Sequence, residues 1–174
     1  MSVLVEAISV IVPLTVLEAK YPGGAAQYER DCPNATYCAD EHLSRVGFMA
    51  PEDVGIYVGR LERLGLLHVH ESRAVDFVVV DQLKGPTTQC DWIEGGKHPD
   101  GYSAVWRAGT VPGWFAHPKG WKPGQSSQLT FTPNEEAEER FLRLARDRGL
   151  ETLLDYKTGK QVYIGRVDPP SEKL

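Results

Sequence analysis

Two histidines one residue apart, His68 and His70, have the spacing of a metal-binding pair on a β-strand. Alternate strand residues point to the same face, so both imidazoles could reach one ion. A carboxylate from Asp76 or Asp81 would complete the ligand set. The alternative is a polar strand face near a sheet edge, and it is favoured because the spacing fixes no third ligand. We therefore expect no metal and no other cofactor.

Cysteine and histidine residues also form possible nucleophile–base pairs. Cys90 could act with His98 or His117, and Cys38 with His42 is a rival grouping. A reactive thiolate needs positive neighbours that lower its pKa, whereas acidic residues follow both cysteines closely. The sequence also contains no GxGxxG, GxxxxGK[ST], GxSxG or HExxH motif. We expect structural cysteines and a protein that is not an enzyme.

An aromatic stretch rich in glycine and proline, residues 95–126, carries the candidate binding residues Tyr102, Trp106, Trp114 and Trp121. Tryptophan and tyrosine dominate the energetics of many protein interfaces. The alternative is that these rings cover the open end of a sheet. Among the four, we expect the side chains of Trp114 and Trp121 to be exposed.

The elements that would position these residues centre on a valine-rich run. Val75 and the segment Phe77–Val80 are β-branched or aromatic, which predicts a buried central strand. The segment Cys90–Glu94 is predicted to pair beside it, with Trp92 in the core. Asp81 is expected to cap the turn that follows the strand.

Other elements follow from periodicity and end signals. In the first half, strands are predicted at Val3–Val12 and Leu43–Met49, helices after Pro13, at Ala25–Asp31 and from Pro51 to Leu64, and a strand pair at Leu66–His70 with Val75–Asp81. In the second half, strands are predicted at Tyr102–Ala108, Gly113–Ala116 and Gln128–Phe131, a helix from Thr132 to Arg148, and a hairpin of Leu150–Tyr156 with Gln161–Val167.

These elements predict an α+β fold: a mixed, largely antiparallel sheet with two to three packed helices, ending in a helix and a β-hairpin. One domain is expected over residues 1–167, with possible sub-layers 1–83 and 84–167. A flexible tail is expected at residues 168–174.

Composition limits the class of partner. The chain has 174 residues and a net charge of −5, and residues 1–60 hold eight acids against four bases. This balance argues against nucleic acid as the partner. There is no basic leader region and no run of 18 apolar residues, so we expect neither export nor membrane contact. Three cysteines without CxxC spacing suggest reduced thiols in the cytoplasm.

Several segments together resemble a group of bacterial proteins of about this length that has no assigned activity. They are Tyr21-Pro22-Gly23-Gly24, Arg45-Val46-Gly47-Phe48-Met49, Val80-Asp81-Gln82, Cys90-Asp91-Trp92 and Thr158-Gly159-Lys160. The resemblance implies a bacterial, stand-alone, single-domain protein, and it implies no chemistry.

Three functional hypotheses remain. The leading one is a non-enzymatic protein-binding domain of the inhibitor or immunity type, which neutralises a basic toxin through complementary charge. The second is an enzyme or small-molecule-binding protein with a Cys/His pocket near the central strands. The third is a module that dimerises through an unprotected edge strand, so a homodimer is possible.

Overall fold

The computed structural model describes residues 1–97, 102–122, 141–147, 150–155, 159 and 161–165. Within them the chain forms the helices α1 (Leu14–Lys20), α2 (Gly24–Arg30) and α3 (Pro51–Arg63). The first eight strands are β1 (Ser2–Val5), β2 (Ile8–Pro13), β3 (Cys38–Ala39), β4 (Leu43–Phe48), β5 (Val69–His70), β6 (Arg73–Ala74), β7 (Val78–Asp81) and β8 (Gly85–Pro86). The others are β9 (Ile93–Lys97), β10 (Ser103–Arg107), β11 (Phe115–Ala116), β12 (Phe141–Asp147), β13 (Leu150–Asp155) and β14 (Gln161–Gly165). The predicted α+β class is confirmed, with largely antiparallel pairing and one parallel pair, β1 with β11.

A five-stranded antiparallel sheet in the order β3-β4-β2-β7-β8 contains the valine-rich run. The side chains from Phe77 to Val80 are at most 7% exposed. Phe77 and Val79 belong to the core on the helical side, and Val78 and Val80 to a second core on the opposite face. The predicted buried strand is confirmed, since a strand covered on both faces is apolar at every position. Val75 is the exception: it precedes the strand and is 37% exposed.

Helix α3 covers one face of this sheet, as its apolar spacing predicts. Val54, Tyr57 and Leu61 recur at helical intervals and are all buried in the core on the helical side. Burying a side chain of this size contributes about 1.5–3 kcal/mol to folding. Gly65 follows the helix with φ at +98°, the left-handed conformation that ends many helices.

The first predicted strand, Val3–Val12, is in fact two strands in two different sheets. Strand β1 belongs to a four-stranded sheet and β2 to the five-stranded sheet. The chain bends between them at Ala7, whose φ is +46° and whose N–H donates to the Gln82 side chain at 2.8 Å. The apolar pattern did not reveal the bend because both strands are buried.

The four-stranded sheet has the order β11-β1-β10-β9 and packs on the five-stranded sheet through the second core. The predicted pairing of Cys90–Glu94 with the valine-rich strand is therefore wrong. Strand β9 pairs with β10, where Gly95 faces Val105, and β7 lies between β2 and the short strand β8. The result is a helix layer and two sheet layers.

The predicted strand pair Leu66–His70 with Val75–Asp81 is confirmed only beside its turn, where the N–H groups of Val75 and Asp76 donate to the carbonyls of His68 and Leu67 at 2.9 Å each. Strand β7 itself pairs with β2 and β8. Closer to the turn, strand β5 pairs with β6, two residues each, in a tight hairpin. Its two loop residues, Glu71 and Ser72, have φ values of +49° and +63°. Two consecutive positive φ values are typical of a type I′ turn, which reverses the chain within two residues.

Near the end of the chain, one prediction is wrong and another is confirmed. Residues 141–147, predicted as the last part of a helix, form strand β12, which pairs antiparallel with β13. Pairing with the adjacent hairpin outweighs the local helix propensity here, although Leu, Ala and Arg in this segment favour a helix. The hairpin of β13 and β14 is confirmed, and Gly159 in its loop has φ at +68°. The predicted strand Gln128–Phe131 and residues 132–140 of the predicted helix lie outside the described residues.

The predicted organisation is tested only in part. A single domain over residues 1–167, with its possible sub-layers, stays a prediction, and the expected tail lies outside the described residues. None of the helices within the described ranges is both long enough and apolar enough to cross a lipid bilayer.

Candidate functional site

The loop that joins β10 to β11, residues 108–114, carries the most exposed tryptophan of the described residues. The side chain of Trp114 is 71% exposed, as the sequence predicts. Val111 in the same loop is 82% exposed. Two large apolar side chains thus face solvent on one short loop, which is a feature of contact surfaces rather than of cores.

The base of the 108–114 loop is fixed by hydrogen bonds. The Ala108 N–H donates to the Trp92 carbonyl at 3.0 Å, and the Thr110 N–H donates to the Arg107 carbonyl at 3.1 Å. The N-terminal ammonium group donates to the Val111 carbonyl at 3.4 Å. These bonds join the loop to β10, to the residue before β9 and to the chain start, so the exposed side chains project from a tethered backbone.

Behind this loop lies the aromatic cluster, formed by Tyr102, Phe115, His117 and Trp121. The Trp121 ring centroid lies 5.1 Å from that of Tyr102, 5.5 Å from Phe115 and 5.0 Å from His117. The contacts with Tyr102 and Phe115 are edge-to-face, a favourable arrangement for aromatic rings. The rings pack on one another, and the cluster brings the residue before β10 together with residues in and after β11. That these rings cover the open end of the sheet stays a prediction.

Trp121 is consequently half-buried rather than exposed. Its Nε1 donates to Oε1 of Glu6, the residue just before the bend between the two sheets. The bond connects the aromatic cluster to the point where the chain changes sheet. One local signal of this contact is that Glu6 interrupts an otherwise apolar run.

Two other tryptophans anchor the same sheet. Trp106 is half-buried on β10, and its Nε1 donates to Oε2 of Glu94 at 3.0 Å. Its ring lies across Gly96, where an added Cβ would come within 3.2 Å of it. Trp92 is half-buried against the second core, and its Nε1 donates to the Ala74 carbonyl at 3.3 Å. Both rings support the sheet that carries the loop.

The cysteine candidate for catalysis lies in an environment that disfavours the thiolate. Cys90 is half-buried, and burial raises the pKa of its thiol. The Asp91 charge raises the pKa further, while the backbone N–H groups of Trp92 and Ile93 lower it in part. Of the two partners predicted for it, His98 lies outside the described residues, and the His117 ring packs against Phe115 and Trp121.

The other two cysteines are also protonated at neutral pH. Burial raises the pKa of Cys32 and of Cys38 to about 11 each, although the charge of Arg45 lowers both in part. In the rival grouping near Cys38, Oδ1 of Asp40 accepts the N–H groups of His42 and Leu43 at 2.7 Å each. The Asp40 carboxylate therefore stabilises the turn between β3 and β4.

The histidine pair does not converge on a common point. His68 precedes β5, and its ring stacks on Phe77 with centroids 4.6 Å apart. His70 is exposed, with Nε2 3.9 Å from Oε1 of Glu71. No cluster of three or more histidine, cysteine, aspartate or glutamate side chains suited to a metal ion occurs in the described part of the chain.

The two aspartates considered with the histidines have structural partners. Asp76 is buried, and its Oδ2 accepts Lys20 Nζ and the Leu67 N–H at 2.7 Å each. Asp81 caps the turn after β7, because its Oδ1 accepts the N–H groups of Leu83 and Lys84 at 2.8 and 2.9 Å. The predicted turn cap is confirmed.

A buried arginine, Arg45 on β4, was not identified from the sequence. Its residue is 2% exposed and lies on the sheet face opposite the helices. The guanidinium donates to Ser9 Oγ at 3.0 Å, the Thr36 carbonyl at 3.0 Å and the Glu6 carbonyl at 3.3 Å. It therefore ties the inter-sheet bend to the segment before β3. Nothing in the local sequence around a single arginine indicates burial.

Comparisons with known proteins add no assignment to these observations. No protein-family model matches the chain, and searches of curated proteins and of solved structures yield no match.

Proposed function

We propose that this protein is a non-enzymatic binding domain that holds a protein partner through the 108–114 loop, in the manner of an inhibitor or immunity protein. The observation that carries the proposal is the joint exposure of Trp114 and Val111, at 71% and 82%, on one anchored loop. Tryptophan is among the residues most enriched at energetic centres of interfaces, where its large ring fills a partner's pocket.

The anchoring of the loop supports this role. Association costs less when a binding loop is already held in its bound conformation, because less backbone entropy is lost. The hydrogen bonds at Ala108, Thr110 and Val111 provide that restraint. The aromatic cluster behind the loop keeps the following strand, β11, in place beside β1.

We propose further that the partner is a basic protein, such as a basic toxin. The net charge is −5, and four acids of the first sixty residues face solvent: Glu18, Glu29, Glu41 and Glu52. Such a field speeds the approach of a basic partner. Residues 102–122 contain three bases and no acid, so contact at the loop itself would be apolar while the distant acids steer the approach.

The compartment belongs to the same proposal. The three cysteines form no disulfide with one another, and unpaired thiols are typical of proteins in a reducing compartment. A cytoplasmic location would suit an immunity protein that meets its toxin inside the cell.

The test is capture with the tagged protein from an extract of its source cells, in parallel with the variants Trp114→Ala and Leu83→Ala. Leu83 is a matched control because it is 80% exposed on a different turn. We expect one basic protein that the parent and Leu83→Ala retain, and a loss of affinity of about 30-fold or more in Trp114→Ala. The association rate should fall as salt is added.

Three outcomes contradict the proposal. They are capture of no protein other than this chain itself, a partner that Trp114→Ala binds as tightly as the parent does, and an acidic partner. Light scattering on the purified protein identifies the first case, because self-association through an edge strand would give a dimer without any added partner.

A further inference from the structure

A small pocket lies where the three helices end, away from the 108–114 loop. Its volume is about 210 Å³, below the roughly 300–1,000 Å³ of pockets for drug-sized ligands. Its lining consists of Tyr21, Pro22, Asp31, Arg60, Arg63 and Leu64. Tyr21, Asp31 and Leu64 are the C-cap residues of α1, α2 and α3. The pocket is therefore built by the meeting of three helix ends.

The hydrogen-bond acceptors of this pocket are already used within the protein. Oδ2 of Asp31 accepts the Tyr21 hydroxyl at 2.8 Å, and Oδ1 accepts the Gln27 side-chain amide at 2.7 Å. Burial together with this bond raises the pKa of Tyr21 to about 12, and Arg60 opposes that rise only in part, through its charge and a side-chain hydrogen bond to the phenol. The phenol thus stays protonated and stays bonded to Asp31.

The donors of the pocket are used less fully, although Arg60 also forms a side-chain hydrogen bond with the Tyr21 phenol. Arg60 and Arg63 stand one helical turn apart on α3, on the same side of the helix. Within the described residues, no carboxylate oxygen that forms an ion pair lies within 4 Å of a guanidinium nitrogen of Arg60 or Arg63. A ligand that complements this pocket must therefore supply acceptors, and a planar oxyanion is the group that a guanidinium binds best.

We propose that this pocket binds a small organic monocarboxylate between Arg60 and Arg63. The two arginines and Asp31 give the lining a net charge of +1, which matches a single negative charge better than a double one. The carbon end of the ligand would lie against Pro22 and Leu64, the apolar part of the lining. The site is independent of the 108–114 loop, so it can be present or absent whatever the loop binds.

The test is to titrate the full chain with acetate and with lactate and to monitor binding by the NMR shifts of the backbone amides. Sodium chloride keeps the ionic strength constant. Inorganic phosphate is titrated in the same way. We expect carboxylate-dependent shifts that centre on residues lining the pocket, with saturation in the millimolar range. The variants Arg60→Gln and Arg63→Gln should each weaken binding at least tenfold.

Two further variants make the result specific. Arg107→Gln removes an exposed arginine from β10, outside the pocket, and should leave the affinity unchanged. Arg63→Lys keeps the charge but loses the fork of donors, and it should weaken binding by a smaller factor than Arg63→Gln. Amide spectra of the free variants show whether each is folded.

The proposal is overturned if carboxylates cause no saturable shift at the pocket, or if Arg107→Gln weakens binding as much as Arg63→Gln does. Tighter binding of phosphate than of carboxylate overturns it as well, because a preference for the higher charge contradicts the charge match.

Discussion

The indole Nε1 of Trp121 donates a hydrogen bond to Oε1 of Glu6, and these two residues are 115 positions apart in the chain. Glu6 immediately precedes Ala7, where the chain passes from the four-stranded to the five-stranded sheet. Trp121 belongs to the aromatic cluster, in which its ring packs edge-to-face on Tyr102 and on Phe115 of β11. One bond therefore couples the inter-sheet bend to the support of the 108–114 loop.

Replacing Trp121 by phenylalanine should lower the free energy of unfolding by about 1.5–3 kcal/mol, since a half-buried carboxylate loses its donor while a ring remains. Chemical denaturation measures the loss. Trp106→Phe is the matched control: it removes a similar bond to Glu94, which is exposed, and should cost less. In a double-mutant cycle with Glu6→Ala, the two substitutions should be non-additive by about 1 kcal/mol. Strict additivity would show that the bond contributes nothing.

A second relationship involves the buried Arg45 and the glycine two residues beyond it. A Cβ added at Gly47 would overlap the guanidinium of Arg45. Gly47→Ala should therefore displace the guanidinium from Ser9 and from the Thr36 carbonyl. We expect a loss of about 2–4 kcal/mol in the free energy of unfolding, because each unsatisfied buried group costs about 1–3 kcal/mol.

The matched control for that substitution is Gly55→Ala. Gly55 lies inside α3, and a Cβ added there meets no atom within 4 Å. Alanine should stabilise the helix by about 0.5–1 kcal/mol. Thermal and chemical unfolding of both variants measure the expected loss of stability in Gly47→Ala and the expected gain in Gly55→Ala. If Gly47→Ala is as stable as the parent protein, Arg45 does not hold the segments it contacts.

The sequence predicted those parts of the fold in which local pattern and burial agree. The run from Phe77 to Val80 is apolar at every position because cores lie on both of its faces. The same continuity concealed the bend at Ala7, since a run that is buried throughout looks the same whether it is one strand or two. Strand β12 was mistaken for a helix because its pairing with β13 depends on residues later in the chain.

The same distinction between local pattern and tertiary packing applies to the candidate site. Exposure of Trp114 was predictable from an aromatic residue set among glycine and proline. The bond between Glu6 and Trp121, the burial of Arg45 and the pairing of Arg60 with Arg63 in a pocket were not. Each of these depends on side chains or elements brought together only by tertiary packing, and local periodicity carries no information about such contacts.

Stability at mildly acidic pH should depend on His68. Burial lowers the pKa of its imidazole below the ordinary 6.5, although the charge of Glu62 opposes the shift. The unfolded chain therefore binds the proton more readily than the folded protein does. The stability that depends on neutral His68 is fully present above pH 6.5 and decreases as the pH falls through and below that value.

His68→Phe keeps a ring that can stack on Phe77 and removes the titrating group. Between pH 7 and pH 5, its free energy of unfolding should fall less steeply than that of the parent protein. If the free energy of unfolding depends on pH in the same way for the parent and for His68→Phe, then the pKa of His68 is the same in the folded and the unfolded state.

Alkylation rates test whether any of the cysteines is a nucleophile. Burial raises the pKa of Cys90 and places the pKa of Cys32 and Cys38 at about 11. Because only the thiolate reacts, iodoacetamide should modify all three more slowly at pH 7.5 than it modifies a free thiol, whose pKa is about 8.5. Peptide mass spectrometry gives each rate separately.

Because burial raises the pKa of the Cys90 thiol, its alkylation rate should keep rising with pH beyond the range in which a free thiol levels off. A plateau near neutral pH would mean that a positive group outside the described residues stabilises the thiolate. His98 is then the first residue to replace, because its loss would shift the plateau to higher pH only if the two side chains interact. A rate that rises throughout this range means that Cys90 packs as a protonated side chain, which favours the binding function over a catalytic one.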